Sequence, residues 1–105
     1  MKLYVVIRSD LEPGLQLAQG CHALRLFTAE HPDVDGPWYS QSNNLACLAV
    51  PDEDGLKRLC RLAEREGIPH SRFHEPDLGD SLTAITLAPE ATGLVGSLPL
   101  ALRAC

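Results

Sequence analysis

The chain opens on an apolar run. Residues 2–9, KLYVVIRS, are mainly β-branched and aliphatic until Arg8, and Ser9 and Asp10 close the run. Such a stretch predicts a strand covered on both faces. DLEPG then turns the chain: Asp10 suits a helix cap, Glu12 the positive end of a helix dipole, and Pro13 a helix entry. From about residue 15 to residue 28, apolar positions recur at three- and four-residue spacing, which predicts a helix. Leu17, Cys21, Leu24 and Thr28 form one stripe, supported by Ala18 and Phe27. Leu15, Gln19, His22 and Leu26 form the adjoining stripe, so Gln19 and His22, three apart, project from one side.

The following stretch, EHPDVDGPWYSQSNN, is rich in Pro, Gly, Asp and Asn. It predicts an exposed loop pinned by Trp38. LACLAV, residues 45–50, predicts a second buried strand. Pro51 and Asp52 open a second helix with acids in its first turn and Arg61 and Arg65 near its end. Leu56, Leu59, Cys60, Leu62 and Ala63 make its buried face, and Gly67 is its C-cap. IPHSRFHE alternates polar residues, as an edge strand would, and PDLGDS is a turn. LTAITLA, residues 82–88, is a third apolar strand, and the Gly- and Pro-broken tail predicts a short helix or two held by Leu94, Val95 and Leu98.

This order predicts an α/β protein: a three-layer α/β/α fold with a small mixed, mostly parallel sheet of about four strands. Its 105 residues suit a single domain. Ligands of such folds bind outside the carboxyl ends of the strands. Two segments are richest in chemistry: Ser9, Asp10, Gly14, Gln19 and His22 after the first strand, and Glu75, Asp77, Gly79, Asp80 and Thr83 before and into the last.

Composition adds constraints. The chain is 45% apolar and 22% charged, ordinary for a globular domain. Its net charge is −5, whereas nucleic-acid binders usually carry a basic balance or stripe. The densest basic cluster, Lys57, Arg58, Arg61 and Arg65, is interleaved with Glu64 and Glu66 and reads as a solvated face. Cys21, Cys47, Cys60 and Cys105 are scattered without a CxxC pair, which predicts reduced, buried thiols acting as small hydrophobes. No cofactor or metal is expected, since His70 and His74 stand without a cysteine pair. The start lacks a small-residue cleavage site, and the longest apolar stretch, around 94–102, is too short and broken to span a bilayer. The expected location is the cytoplasm, with no membrane partner.

With its order and spacing in view, the sequence resembles the type 2 peptidyl-tRNA hydrolase family, in the divergent style of some bacterial members. VVIRSDLEPGLQLAQGCHA is similar to the family's opening strand and helix start at Arg8, Asp10, Leu11, Gly14, Ala18, Gln19, His22 and Ala23. Pro51, Asp52 and Glu53 fit its turn before the second helix, and PDLGDSLTAITLAP fits its late motif at Asp77, Gly79, Thr83 and Pro89. The resemblance implies hydrolysis of the ester between peptide and tRNA, a homodimer, and a role in that activity for His22, Asp77 and Thr83. Asp10, Gly14, Gln19 and Asp80 are the accompanying substrate-binding candidates. The chain departs from the family pattern where a lysine gives way to Leu15, where a basic cluster gives way to Ser42, Asn43 and Asn44, and where Asp80, Ser81 and Leu82 replace a longer segment. Loss of those cations at this net charge weakens tRNA as a partner.

Ester hydrolysis needs a base for water, donors for the oxyanion and a means of positioning. His22 or Asp77 supplies the base in this reading, and amides near Gly14 or the Thr83 hydroxyl supply donors. Each residue has a plainer reading: His22 as a core histidine bonded to a carbonyl, Asp77 and Asp80 as turn formers, Thr83 as a strand residue. The alternative function is a catalytically inactive, small dimeric binding or regulatory module of the same fold. A third reading is a hydrolase for a smaller substrate without a polyanionic backbone.

Overall fold

The computed structural model describes residues 1–103. Four strands, β1 (Lys2–Arg8), β2 (Asn44–Val50), β3 (His70–Glu75) and β4 (Ser81–Leu87), form one sheet in the order β2-β1-β4-β3. Four helices accompany them: α1 (Pro13–Glu30), α2 (Pro32–Gln41), α3 (Glu53–Glu66) and the single turn α4 (Thr92–Val95). The sheet is mixed, and β1 pairs with β2 in parallel while β4 runs antiparallel to both β1 and β3. Three strands thus share a direction, but only one of the three ladders is parallel, fewer than the mostly parallel sheet expected. The reason is loop length. A parallel neighbour needs a crossover of a dozen or more residues, and only five residues separate β3 from β4.

Two cores flank the sheet. On one side Val5 and Ile7 pack with Ala23 of α1, Ala84 and Phe73. On the other, Tyr4, Val6, Ile85 and Leu87 pack with Leu56, Leu59, Cys60 and Ala63 of α3. Alternation along β1 sends its side chains to both layers, which is why its sequence reads as continuously apolar. The amphipathic pattern of α3 is realised as expected: Asp52 Oδ1 accepts from the Gly55 amide at 3.0 Å, and Gly67 closes the helix at φ 68°.

Residues 32–41, expected as loop, form α2. Pro32 occupies the first turn with Asp33 and Asp35, all favourable at a helix start. Trp38 is buried and donates its indole N–H to the Asn44 carbonyl at 2.7 Å, so packing fixes a helix that Pro37 and Gly36 obscure in the sequence. The tail keeps Val95 in the core and returns along β2, where the Ala49 and Ala101 amides donate to the Pro99 and Cys47 carbonyls.

The thiols divide. Cys60 is buried, but Cys21 and Cys47 are exposed, contrary to the expectation of buried cysteines; Cys105 lies outside the described residues. The cause is the rotation of α1. Its buried line is Gln16, Gln19, Ala23 and Phe27, and Leu17 on the expected stripe is 59% exposed. Gly20 sits within that line, where a Cβ would lie 3.4 Å from Ile7 Cγ2. This close approach, not the open first turn at Gly14, makes use of the helix's small residues.

Candidate functional site

The carboxyl ends of β1, β2 and β3 point the same way, and the start of β4 lies among them. Each expected site residue occupies an element at or near this end. Asp10 follows β1 and does not cap α1: both its oxygens accept from Arg8, at 2.7 and 2.8 Å. That pairing holds the Asp10 carboxyl below its usual range, chiefly through the Arg8 hydrogen bond. Gly14 is exposed in the first turn of α1 with nothing within 4 Å of a Cβ built there. His22 lies eight residues further along, about 12 Å at helical rise.

Gln19 and Thr83 are brought together beneath the surface. Thr83 is fully buried, and its hydroxyl donates to Gln19 Oε1 at 2.6 Å. Gln19, only 1% exposed, donates from Nε2 to Glu75 Oε1 at 2.9 Å. The amide orientation follows from its partners. A carboxylate only accepts, so the amide nitrogen must face Glu75 and the amide oxygen must take the hydroxyl proton.

This contact depends on a β-bulge. Phe73 pairs with Ala84, yet the next residue, His74, pairs with Leu82, so Thr83 is the extra residue in β4. Ala84 belongs to the core under α1 and Leu82 to the core under α3. Regular alternation from Ala84 would send Thr83 away from α1; the bulge turns it toward Gln19. The polar groups of Leu82 are claimed from outside the ladder. Its amide donates to Glu53 Oε2 at 2.7 Å, and its carbonyl accepts from Arg8 Nη1 at 3.3 Å.

Toward the surface, Glu75 Oε2 accepts from the Asp77 amide at 3.3 Å. Glu75 thereby caps the single 3₁₀ turn Pro76–Leu78, and the Asp80 amide returns to the Glu75 carbonyl at 2.9 Å. Gly79 and Asp80 both adopt positive φ, at 65° and 58°. For Asp80 this is a strained position that its short polar side chain tolerates. Asp77 and Asp80 are exposed, so their carboxylates face solvent at the rim.

His22 is exposed, which removes its reading as a core histidine. Its ring stacks on Phe73 at 4.7 Å with planes 14° apart, and it has no hydrogen-bond partner among the described residues. Glu75, two residues beyond Phe73 on the same face of β3, is held ionised below its usual range. The Gln19 hydrogen bond is the largest cause, followed by the Asp77 amide, and the nearby His22 adds a smaller effect in the same direction. Exposed imidazole, fixed carboxylate and solvent-facing aspartates can together accept a proton, position water and orient a polar ligand.

Glu75, Arg8 and Glu53 are in the sequence motifs but received no site role from them. The signal for Glu75 was a carboxylate closing a polar-alternating strand just before Pro76. Its value becomes visible only when α1 is laid over β3. The surroundings are acidic: Asp10, Asp77 and Asp80 lie in the turns at this end, Glu75 ends β3, and Asp52 and Glu53 open α3, against Arg8 at the end of β1. Among the described residues, no group of three or more His, Cys, Asp or Glu side chains converges to hold a metal ion. No described helix is long and apolar enough to cross a membrane.

Comparison with known families gives a match over residues 1–104 to the family described as Peptidyl-tRNA hydrolase PTH2. No curated protein matches the chain.

Proposed function

The chain belongs to the peptidyl-tRNA hydrolase PTH2 family, and we propose that it hydrolyses a peptidyl-tRNA ester in the cytoplasm, at the carboxyl end of β1. The observation that carries this reading is the exposed His22 imidazole beside a carboxylate fixed from the core by Gln19 and Thr83. His22 takes a proton from water, and the water oxygen bonds to the ester carbonyl carbon. The bond from that carbon to the ribose oxygen then breaks, and the imidazolium returns its proton to the departing oxygen. The products are a peptide carboxylic acid, which releases its proton to solvent as the carboxylate, and a tRNA hydroxyl. Asp77 and Asp80 line the approach, Asp10 and Gly14 flank the entry to α1, and Thr83 acts through Gln19.

The acidic rim favours a second reading, the inactive binding module. A polyanion gains affinity from lysines and arginines, and the loops around His22 supply few. Incubation with peptidyl-tRNA separates the two. Hydrolysis predicts released tRNA, with His22→Ala slowed about 100-fold or more and Asp77→Asn less affected. No turnover by the wild-type chain at high enzyme concentration overturns the hydrolase reading. Retention of tRNA that falls steeply with salt then identifies an inactive binder.

We further propose that the chain forms a homodimer through the apolar strip beside β2. There Leu17, Cys21, Leu45, Cys47 and Leu102 line a cavity of about 330 Å³. Leu17, Leu45 and Leu102 are 59%, 43% and 46% exposed, apolar surface that a second copy would cover.

A further inference from the structure

Glu75 joins the buried relay to the open surface. Its Oε1 is fixed by Gln19, whose own orientation is locked by the Thr83 hydroxyl, and its Oε2 is fixed by the Asp77 amide. A carboxylate satisfied at both oxygens has little rotational freedom left. Those same contacts hold its carboxyl below the usual range, which favours the charged form and makes it a weak proton acceptor. His22 has the complementary properties. Its ring is located by Phe73 stacking, yet its nitrogens have no partner among the described residues. Glu75 lies two residues beyond Phe73 on the same face of β3, roughly 7 Å along the strand, so the carboxylate and the stacked ring neighbour one another without a direct hydrogen bond and leave room for a bridging water.

Three features of the fold converge on this arrangement. The bulge in β4 aims Thr83 at α1. The rotation of α1 buries Gln19 in place of a leucine. The regular alternation of β3 brings Phe73 and Glu75 to the face that α1 covers. An apolar residue at position 19 would pack α1 against the sheet without requiring a buried polar chain, so the chain's outlet at Glu75 is its distinguishing consequence.

We propose that Glu75 is a positioning residue for the hydrolytic step: its anchored carboxylate holds the attacking water against His22 and stabilises the imidazolium as it forms. Glu75 stays ionised throughout; the proton passes from water to the His22 ring and then to the leaving oxygen. Gln19 and Thr83 position Glu75 from below. This role rests on the hydrolase reading above.

The test uses the full chain with peptidyl-tRNA. Glu75→Gln keeps the shape of the side chain and removes its charge. The expected result is a kcat about 100-fold lower with KM changed less than about twofold. Its Tm should fall by no more than a few degrees. Thr83→Val should lower kcat about tenfold, and adding it to Glu75→Gln should cost little more, because both act through one carboxylate. A second measurement needs no turnover: carbon-detected NMR titration of Glu75 should show its midpoint moving up in Thr83→Val. Wild-type kcat in Glu75→Gln, or activity lost only in proportion to folded protein, overturns the positioning role. An unmoved Glu75 midpoint in Thr83→Val overturns the relay. A wild-type chain without turnover overturns the hydrolase reading and the catalytic role together. Turnover by the wild type matched by Glu75→Gln overturns the Glu75 role alone.

Discussion

Gly55, in the first turn of α3, lies directly against Val50 at the end of β2: a Cβ built on Gly55 would be 2.9 Å from the Val50 Cβ. The short connection from strand to helix creates the contact. Asp52 caps the turn by accepting from the Gly55 amide, and the helix therefore begins almost on top of the strand it follows. Replacing Gly by Ala inside an open helix gains roughly 0.5–1 kcal/mol. Here overpacking costs about 1–3 kcal/mol, and the larger effect should win. Gly55→Ala is expected to unfold at lower urea concentration than the wild type. Gly36→Ala in α2, where a Cβ meets nothing within 4 Å, should shift the midpoint the other way. Equal shifts of one sign would remove the steric account.

Thr86 carries a different kind of cost. Its side chain is fully buried, and its hydroxyl has no hydrogen-bond partner among the described residues. It sits in β4 between Val5 of β1 and Ser71 of β3, while the Ser71 hydroxyl donates to Glu30 Oε1 at 2.6 Å. Valine has nearly the same shape and no polar group to desolvate. Thr86→Val should stabilise the chain by about 1 kcal/mol. Urea unfolding measures this directly, and a loss of stability would show that the hydroxyl is satisfied in solution.

Acid should weaken the protein through identifiable carboxylates. Glu75 is held below its usual range mainly by Gln19, and Asp10 mainly by Arg8. A depressed carboxyl pKa in the folded state stabilises the protein fully above the unfolded value, about 4. That contribution is lost as pH falls through the lower folded values. The Tm contribution from these groups should therefore be level from pH 7 to about pH 5 and decline in stronger acid. Glu75→Gln should reduce the decline. An unchanged acid limb in that variant would mean that Glu75 gains nothing from its contacts on folding.

The proposed dimer places its apolar contact beside β2, where Leu45 is 43% exposed. A charge buried there without a partner strongly opposes association. Leu45→Lys is expected to sediment as a monomer at concentrations where the wild type sediments as a dimer. A monomeric wild type, or a dimer undisturbed by the substitution, would move the interface elsewhere or dismiss it.

Several features were legible from residue order alone because local chemistry decides them. Continuous apolar runs specified β1 and β2, and the amphipathic pattern, Asp52 and Gly67 specified α3. Order and spacing also brought His22, Gln19, Asp77 and Thr83 into one reading through a family resemblance. The buried face of α1 was not legible. Its apolar residues extend around much of the helix, so periodicity offers two faces of similar merit, and hydrogen bonds from Gln16 and Gln19 choose between them. Gln16 donates to the Ser9 and Leu11 carbonyls, and Gln19 joins Thr83 to Glu75. Nor does a run such as LTAITLA announce its bulge: the extra residue is defined only by the pairing register with β3.

Local sequence pattern specifies the strands and the helices α1 and α3, though not α2, and supplies the side chains able to perform acid–base chemistry. Tertiary structure decided which of those side chains meet. The physical reason is that a buried polar group must find its partner, and for Gln19 that partner lies 64 residues away at Thr83. No local pattern spans that distance; the rotation of α1 and the bulge in β4 bring the two together.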